Sequence, residues 1–126
     1  MAVRPQYHFR ESSKGLQAWD VRRLIEKSSD LPVLSIPIQQ IQELEEPYWG
    51  GGVTRLTVRD VADHAKLIEK CDLSFPVILC SEGRLMDGMH RVCKAYLLDH
   101  KNIEAVKFPY YIPPDYIGVQ PDQLPY

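Results

Sequence analysis

Five consecutive residues, Asp87-Gly88-Met89-His90-Arg91, carry the densest chemistry in this 126-residue sequence. Asp87 stands where it caps a following helix or lies just before it, and Gly88 permits a close or left-handed turn. The unpaired backbone N–H groups of the helix's first turn then point outward near Met89, His90 and Arg91. Such groups, reinforced by the helix macrodipole, favour an anion, and phosphate is the commonest one to exploit them. Arg91 adds a planar donor fork and His90 a ring N–H. The bland alternative is an ordinary cap, an ordinary turn glycine and a solvated arginine. Against it stands charge placement: cations in a first helical turn are disfavoured by a few tenths of a kcal/mol to about 1 kcal/mol, which a bound anion would reverse.

Several elements must position that group. Residues 75–80 form a nearly continuous apolar run, the pattern of a strand buried on both faces. Ser81 to Arg84 has the composition of a tight turn, and Leu85-Met86 resumes extended structure. Val92, Ala95, Tyr96 and Leu97 to Leu98 give helical spacing after the motif, and residues 103–108 form a last strand. Upstream, Ala18, Val21, Leu24 and Ile25 predict an amphipathic helix over 16–27. Residues 33–38 read as a strand, followed after Pro37 by one or two helical turns that end on Glu43, Glu45 and Glu46. Gly50 to Gly52 mark a loop. Thr57 with Asp60 forms a capping box for a second helix, whose apolar face is Val58, Val61, Ala62, Ala65 and Ile68, with His64 outside it in a surface or structural role. This order predicts a compact α+β domain, a small mixed sheet packed with helices. The domain covers 1–108 with an N-terminal helical extension, and 109–126 is a Pro/Tyr-rich C-terminal segment. That segment is either a strap across its own domain or an arm that docks a protein partner or a second copy.

Composition narrows the function classes. With 44% hydrophobic and 25% charged residues the chain is ordinary globular protein. No apolar run approaches the roughly 18 residues of a membrane span, and the N-terminus lacks a secretion signal, so a soluble, cytoplasmic protein is expected. A net charge of −2 supplies no basic face, which makes nucleic acid an unexpected partner. Cys71, Cys80 and Cys93 are an odd set with no Cys-x-x-Cys spacing, so neither a disulfide framework nor a direct metal cluster is indicated.

The strand Pro76-Val77-Ile78-Leu79, the box Gly83 to Arg91, Ala95 and the strand at 103–108 together resemble the central region of the ParB/sulfiredoxin-like superfamily. Residues 33–38 with Ile41 are similar to its opening strand and turn, so the resemblance spans about 31–108. It implies nucleotide phosphates bound at Gly88, Met89, His90 and Arg91. Sulfiredoxins place a catalytic cysteine before the His-Arg pair; Met89 stands there, so that activity is not expected. Partition proteins of the superfamily add DNA-binding and dimerisation regions where this chain has its Pro/Tyr tail. The box is closest to the free serine kinase branch, which uses Asp-Gly-His-His-Arg and an upstream glutamate.

That branch implies ATP or ADP with Mg²⁺ as cofactor and phosphoryl transfer to a small hydroxyl compound. Asp87 and Glu45 are then the catalytic acids, with Glu46 or Glu43 as the alternatives to Glu45. Charge runs such as this one are more often solvated helix ends. Trp49 and Thr54, flanking the glycines, would form a substrate lid. The rival expectation is a non-catalytic nucleotide- or protein-binding module, an adaptor; a DNA-associated role follows from the family name alone.

Overall fold

The computed structural model describes residues 6–49 and 56–126. The chain folds as α+β, with two sheets and three α-helices among the described residues. The larger sheet has the order β3 (Leu34–Pro37), β6 (Asn102–Lys107), β4 (Val77–Leu79), β5 (Leu85–Asp87). β6 runs antiparallel to β3 and parallel to β4, and β4 runs antiparallel to β5.

Strand periodicity explains why β4 reads as uninterrupted apolar sequence. Val77 and Leu79 point into one core, with Leu85, Met89, Val92 and Ala95. Ile78 points into the other, with Trp19, Met86, Val106 and Phe108. Successive side chains of a strand alternate faces, so a sheet covered on both sides needs apolar residues at every position. Helix α3 (Met89–Leu97) and the two 3-10 turns Ile38–Gln40 and Gln42–Glu45 cover the first face. Helix α1 (Val21–Ser28) and Trp19 cover the second.

The N-terminal part departs from the helix expected over 16–27. Residues Gln17–Asp20 are a strand, β2, and only Val21–Ser28 is helical. Asp20 sets the boundary by accepting a hydrogen bond from the Arg22 backbone N–H at 3.0 Å, which caps the helix. Ala18 and Trp19 therefore bury themselves as strand residues, between β1 (Tyr7–Arg10) and β7 (Tyr116–Ile117) in a three-stranded antiparallel sheet. The extension is a hairpin followed by a helix, because a cap and a strand partner outweigh the apolar spacing of Ala18.

The tail lies across its own domain. Ile112 and Leu124 are buried, Trp19 Nε1 donates to the Ile112 carbonyl at 2.8 Å, and Asp115 accepts from the Asp20 N–H at 2.8 Å. Tyr7 donates its hydroxyl proton to the Pro125 carbonyl. These contacts are those of a strap.

Helix α2 (Val58–Lys70) begins on the expected capping box, with Thr57 and Asp60 exchanging bonds of 2.9 and 3.1 Å. Most of its apolar face, Val58, Val61, Ala62 and Ala65, is exposed, and only Ile68 of that face is half-buried. Val58 is 87% exposed, Val61 56%, and no residue of the helix is buried. The helix instead meets α3 through the side bearing the half-buried His64 and Ile68. Lys94 of α3 pins its C-terminus by donating to the carbonyls of Glu69 and Cys71 at 2.9 and 2.8 Å.

Candidate functional site

The motif sits at the β5–α3 junction. Asp87 ends β5, and Gly88 is the helix N-cap at φ 112°, a left-handed conformation with no side-chain cap. The fit is close as well as left-handed: a Cβ on Gly88 would meet Val77 Cγ1 at 2.6 Å and Arg91 Nη2 at 3.0 Å. Glycine is therefore required on both counts. The first turn of α3 keeps its backbone donors free of a side-chain acceptor, the condition that suits an anion.

Arg91 faces inward. Its Nη1 donates to the carbonyls of Phe75 and Pro76 at 2.9 and 2.8 Å, and its Nη2 donates to Asp87 Oδ2 at 2.8 Å. The guanidinium clips the start of α3 to the segment entering β4. Burial pushes the Asp87 carboxyl above the usual carboxylate range, and Arg91 pulls against that shift. Met89 is 6% exposed and packs in the core, so it offers a ligand only its backbone.

His90 is half-buried, and its Nε2 lies 2.9 Å from His64 Nδ1. Trp49 stacks on both rings, at 4.0 Å from His64 and 5.2 Å from His90 between centroids. Burial holds the His90 imidazole below its ordinary pKa, and His64 and Arg91 push it the same way. Thr54, the other residue expected in a lid, lies outside the described residues.

The three upstream glutamates have three different settings. Glu43 is 4% exposed; its Oε2 accepts from the Leu85 N–H at 2.9 Å and pairs with Arg84 Nε at 3.1 Å. Its Oε1 is buried without a hydrogen-bond partner among the described residues. Glu46 is partly exposed and receives both terminal nitrogens of Arg84, at 3.1 and 2.6 Å. Glu45, first in order on sequence, is exposed and lines a separate depression with Tyr96, His100 and Lys101. The structure does not bring Glu45 to the cleft that Glu43 lines.

That cleft is an open depression of about 820 Å³ between the N-terminal hairpin, the 3-10 turn carrying Glu43, and β5. His8, Arg10, Tyr48, Trp49, Arg84 and Glu43 are among its lining residues. Burial and the neighbouring Arg10, whose Nε donates to His8 Nε2 at 2.8 Å, drive His8 down to about 3. Burial, with the charges of Glu43 and Asp87, pushes the Tyr48 phenol up to about 12. Trp49 joins the two regions: its ring covers His90 at the start of α3 and also walls the cleft.

No cluster of three His, Cys, Asp or Glu able to hold a metal occurs among the described residues. Asp87 is the carboxylate at the helix start, and it is bonded to Arg91.

The chain matches no family model, no curated protein and no solved structure. No helix of the described residues is long and apolar enough to cross a membrane.

Sequence reasoning gave His64 a surface or structural role with no link to the motif, and ranked Glu43 behind Glu45. Nothing local marks Glu43 among three neighbouring glutamates. For His64 the sequence signal is its spacing: it stands one turn after Asp60 and one turn before Ile68, and these three are the half-buried positions within α2.

Proposed function

We propose that the chain binds nucleotide phosphate at the start of α3 and transfers a phosphoryl group to a small hydroxyl compound held in the adjoining cleft. The observation that carries this reading is the junction at Trp49, whose ring stacks on His90 at the start of α3 and walls a cleft lined by the buried Glu43. Gly88 and the backbone N–H groups of Met89, His90 and Arg91 would hold the phosphate, with His90 as side-chain donor. Asp87 and Arg91 brace this turn through their own hydrogen bond.

Glu43, rather than Glu45, takes the second acidic role. In the transfer the substrate oxygen forms a bond to the terminal phosphorus, the bond from that phosphorus to the nucleotide's bridging oxygen breaks, and Glu43 accepts the hydroxyl proton. Mg²⁺ carried on the nucleotide would supply charge neutralisation at the phosphates. A cytoplasmic setting suits a nucleotide-dependent protein with three free thiols.

The rival reading, a nucleotide-binding module without turnover, draws on the Asp87–Arg91 pair, which commits both side chains internally. Incubation with γ-labelled ATP, Mg²⁺ and a panel of hydroxyl amino acids and sugars separates the two. A labelled small-molecule product supports the kinase, whereas saturable nucleotide binding with no product supports the module.

A further inference from the structure

His64 Nδ1 and His90 Nε2 are 2.9 Å apart, and one indole, that of Trp49, stacks on both rings. Only one hydrogen fits between two imidazole nitrogens at that distance. In the neutral pair the remaining hydrogen is on an outer nitrogen, either His90 Nδ1 or His64 Nε2. A pair that gains one proton carries hydrogen on both outer nitrogens and keeps the central bond. A second added proton would set two donors face to face and break it.

We infer that His64 is a positioning residue for the anion site: its bond to His90 Nε2 makes His90 Nδ1 the N–H donor toward a bound phosphate, and the pair takes up one shared proton as the phosphate binds. The inference rests on the reading that a phosphate occupies the start of α3. It adds a residue from α2 that is remote in sequence from the motif.

The surrounding charges fix the direction of the coupling. Arg91 on α3 opposes a proton on His90, as does the positive end of the helix. Asp87 on β5 is bonded to Arg91 and partly offsets it. On α2, Asp60 lies within electrostatic reach of His64. Tyr48, beside Trp49, is a phenol held neutral by its raised pKa. An anion at the helix start outweighs the Arg91 repulsion, and the stacked indole face favours an imidazolium beneath it. The complex therefore binds more protons than the free protein. Affinity falls as pH rises through the range where the bound pair loses its proton.

ADP is the probe, titrated calorimetrically into the full chain across about pH 5.5 to 8.5 in buffers of different ionisation heat. The wild type is expected to take up a proton on binding and to lose affinity as pH rises. His64→Ala should weaken ADP by about 3- to 10-fold and move the pH profile to lower pH, since the lost hydrogen bond is worth roughly 0.5 to 1.5 kcal/mol. His64→Asn, whose amide N–H₂ lies where Nδ1–H was, should recover affinity to within about twofold at the alkaline end. A flat wild-type profile, or a folded His64→Ala protein with wild-type affinity and profile, overturns the inference and leaves the phosphate site standing. Absence of ADP binding by the wild type overturns both. Should the alanine variant fail to fold, the wild-type profile and the asparagine variant still decide.

Discussion

Arg91 donates to Asp87 Oδ2 at 2.8 Å across the β5–α3 junction, both side chains being less than a fifth exposed, 15% and 18%. The same guanidinium holds the carbonyls of Phe75 and Pro76, so it is the hub through which β5, α3 and the entry to β4 meet. Removing it strands a half-buried carboxylate and two carbonyls. Arg91→Ala should cost about 2 to 4 kcal/mol of stability in denaturant unfolding. Pairing it with Asp87→Asn should recover part of that loss, because the orphaned charge is gone. Additive losses would show that the two residues act independently.

Gly88 is held by two constraints at once, its left-handed φ of 112° and the 2.6 Å approach that a Cβ would make to Val77 Cγ1. Gly88→Ala should destabilise by about 2 to 4 kcal/mol, since conformational strain and overpacking both contribute. It should weaken phosphate binding more than Arg91→Lys does, as the amide cradle itself shifts. Thermal melts with and without ADP check both effects.

His8 links stability to pH. Its imidazole is lowered from 6.5 to about 3 in the folded protein, chiefly by burial and then by Arg10. Between those values the unfolded chain binds the extra proton, so stability is lost as pH falls from about 6.5 toward 3, at no more than roughly 1.4 kcal/mol per pH unit. His8→Gln keeps an acceptor for the Arg10 Nε–H and does not titrate, so it should flatten the curve. The residual slope belongs in part to His90, which is lowered in the same direction. An unchanged curve in the variant would assign the acid sensitivity elsewhere.

The glutamates divide cleanly. Glu43→Gln preserves size and one acceptor for the Leu85 N–H, and should reduce turnover by about 10²- to 10⁴-fold while changing ADP affinity little. Glu45→Gln, on the exposed side, should change neither. Loss of activity in Glu45→Gln with wild-type activity in Glu43→Gln would reverse the assignment.

Much of the frame was legible in the chain itself. The continuous apolar run of β4, the Thr57–Asp60 capping box and the turn before β5 each appear at the expected place, because each is written in neighbouring residues. Ala18 misled, since its spacing fits a helix but its partners are strands β1 and β7, which lie far apart in sequence. Four of the five apolar residues of α2 misled for the opposite reason: periodicity gives a face but not the neighbour that covers it, and of that face only Ile68, one turn after His64, is half-buried. In the motif, the Gly88 turn followed from residue type. The inward direction of Arg91 did not, because it depends on carbonyls of Phe75 and Pro76 more than ten residues earlier.

The central claim is that phosphate is held by the backbone at the start of α3. Backbone amide shifts followed by NMR during titration with ADP test it most directly. The account predicts saturable shifts concentrated at Gly88, Met89, His90 and Arg91, with His64 and Trp49 responding alongside and the depression around Glu45 and His100 silent. Binding that leaves the four motif amides unmoved, or that moves the Glu45 depression instead, would contradict it.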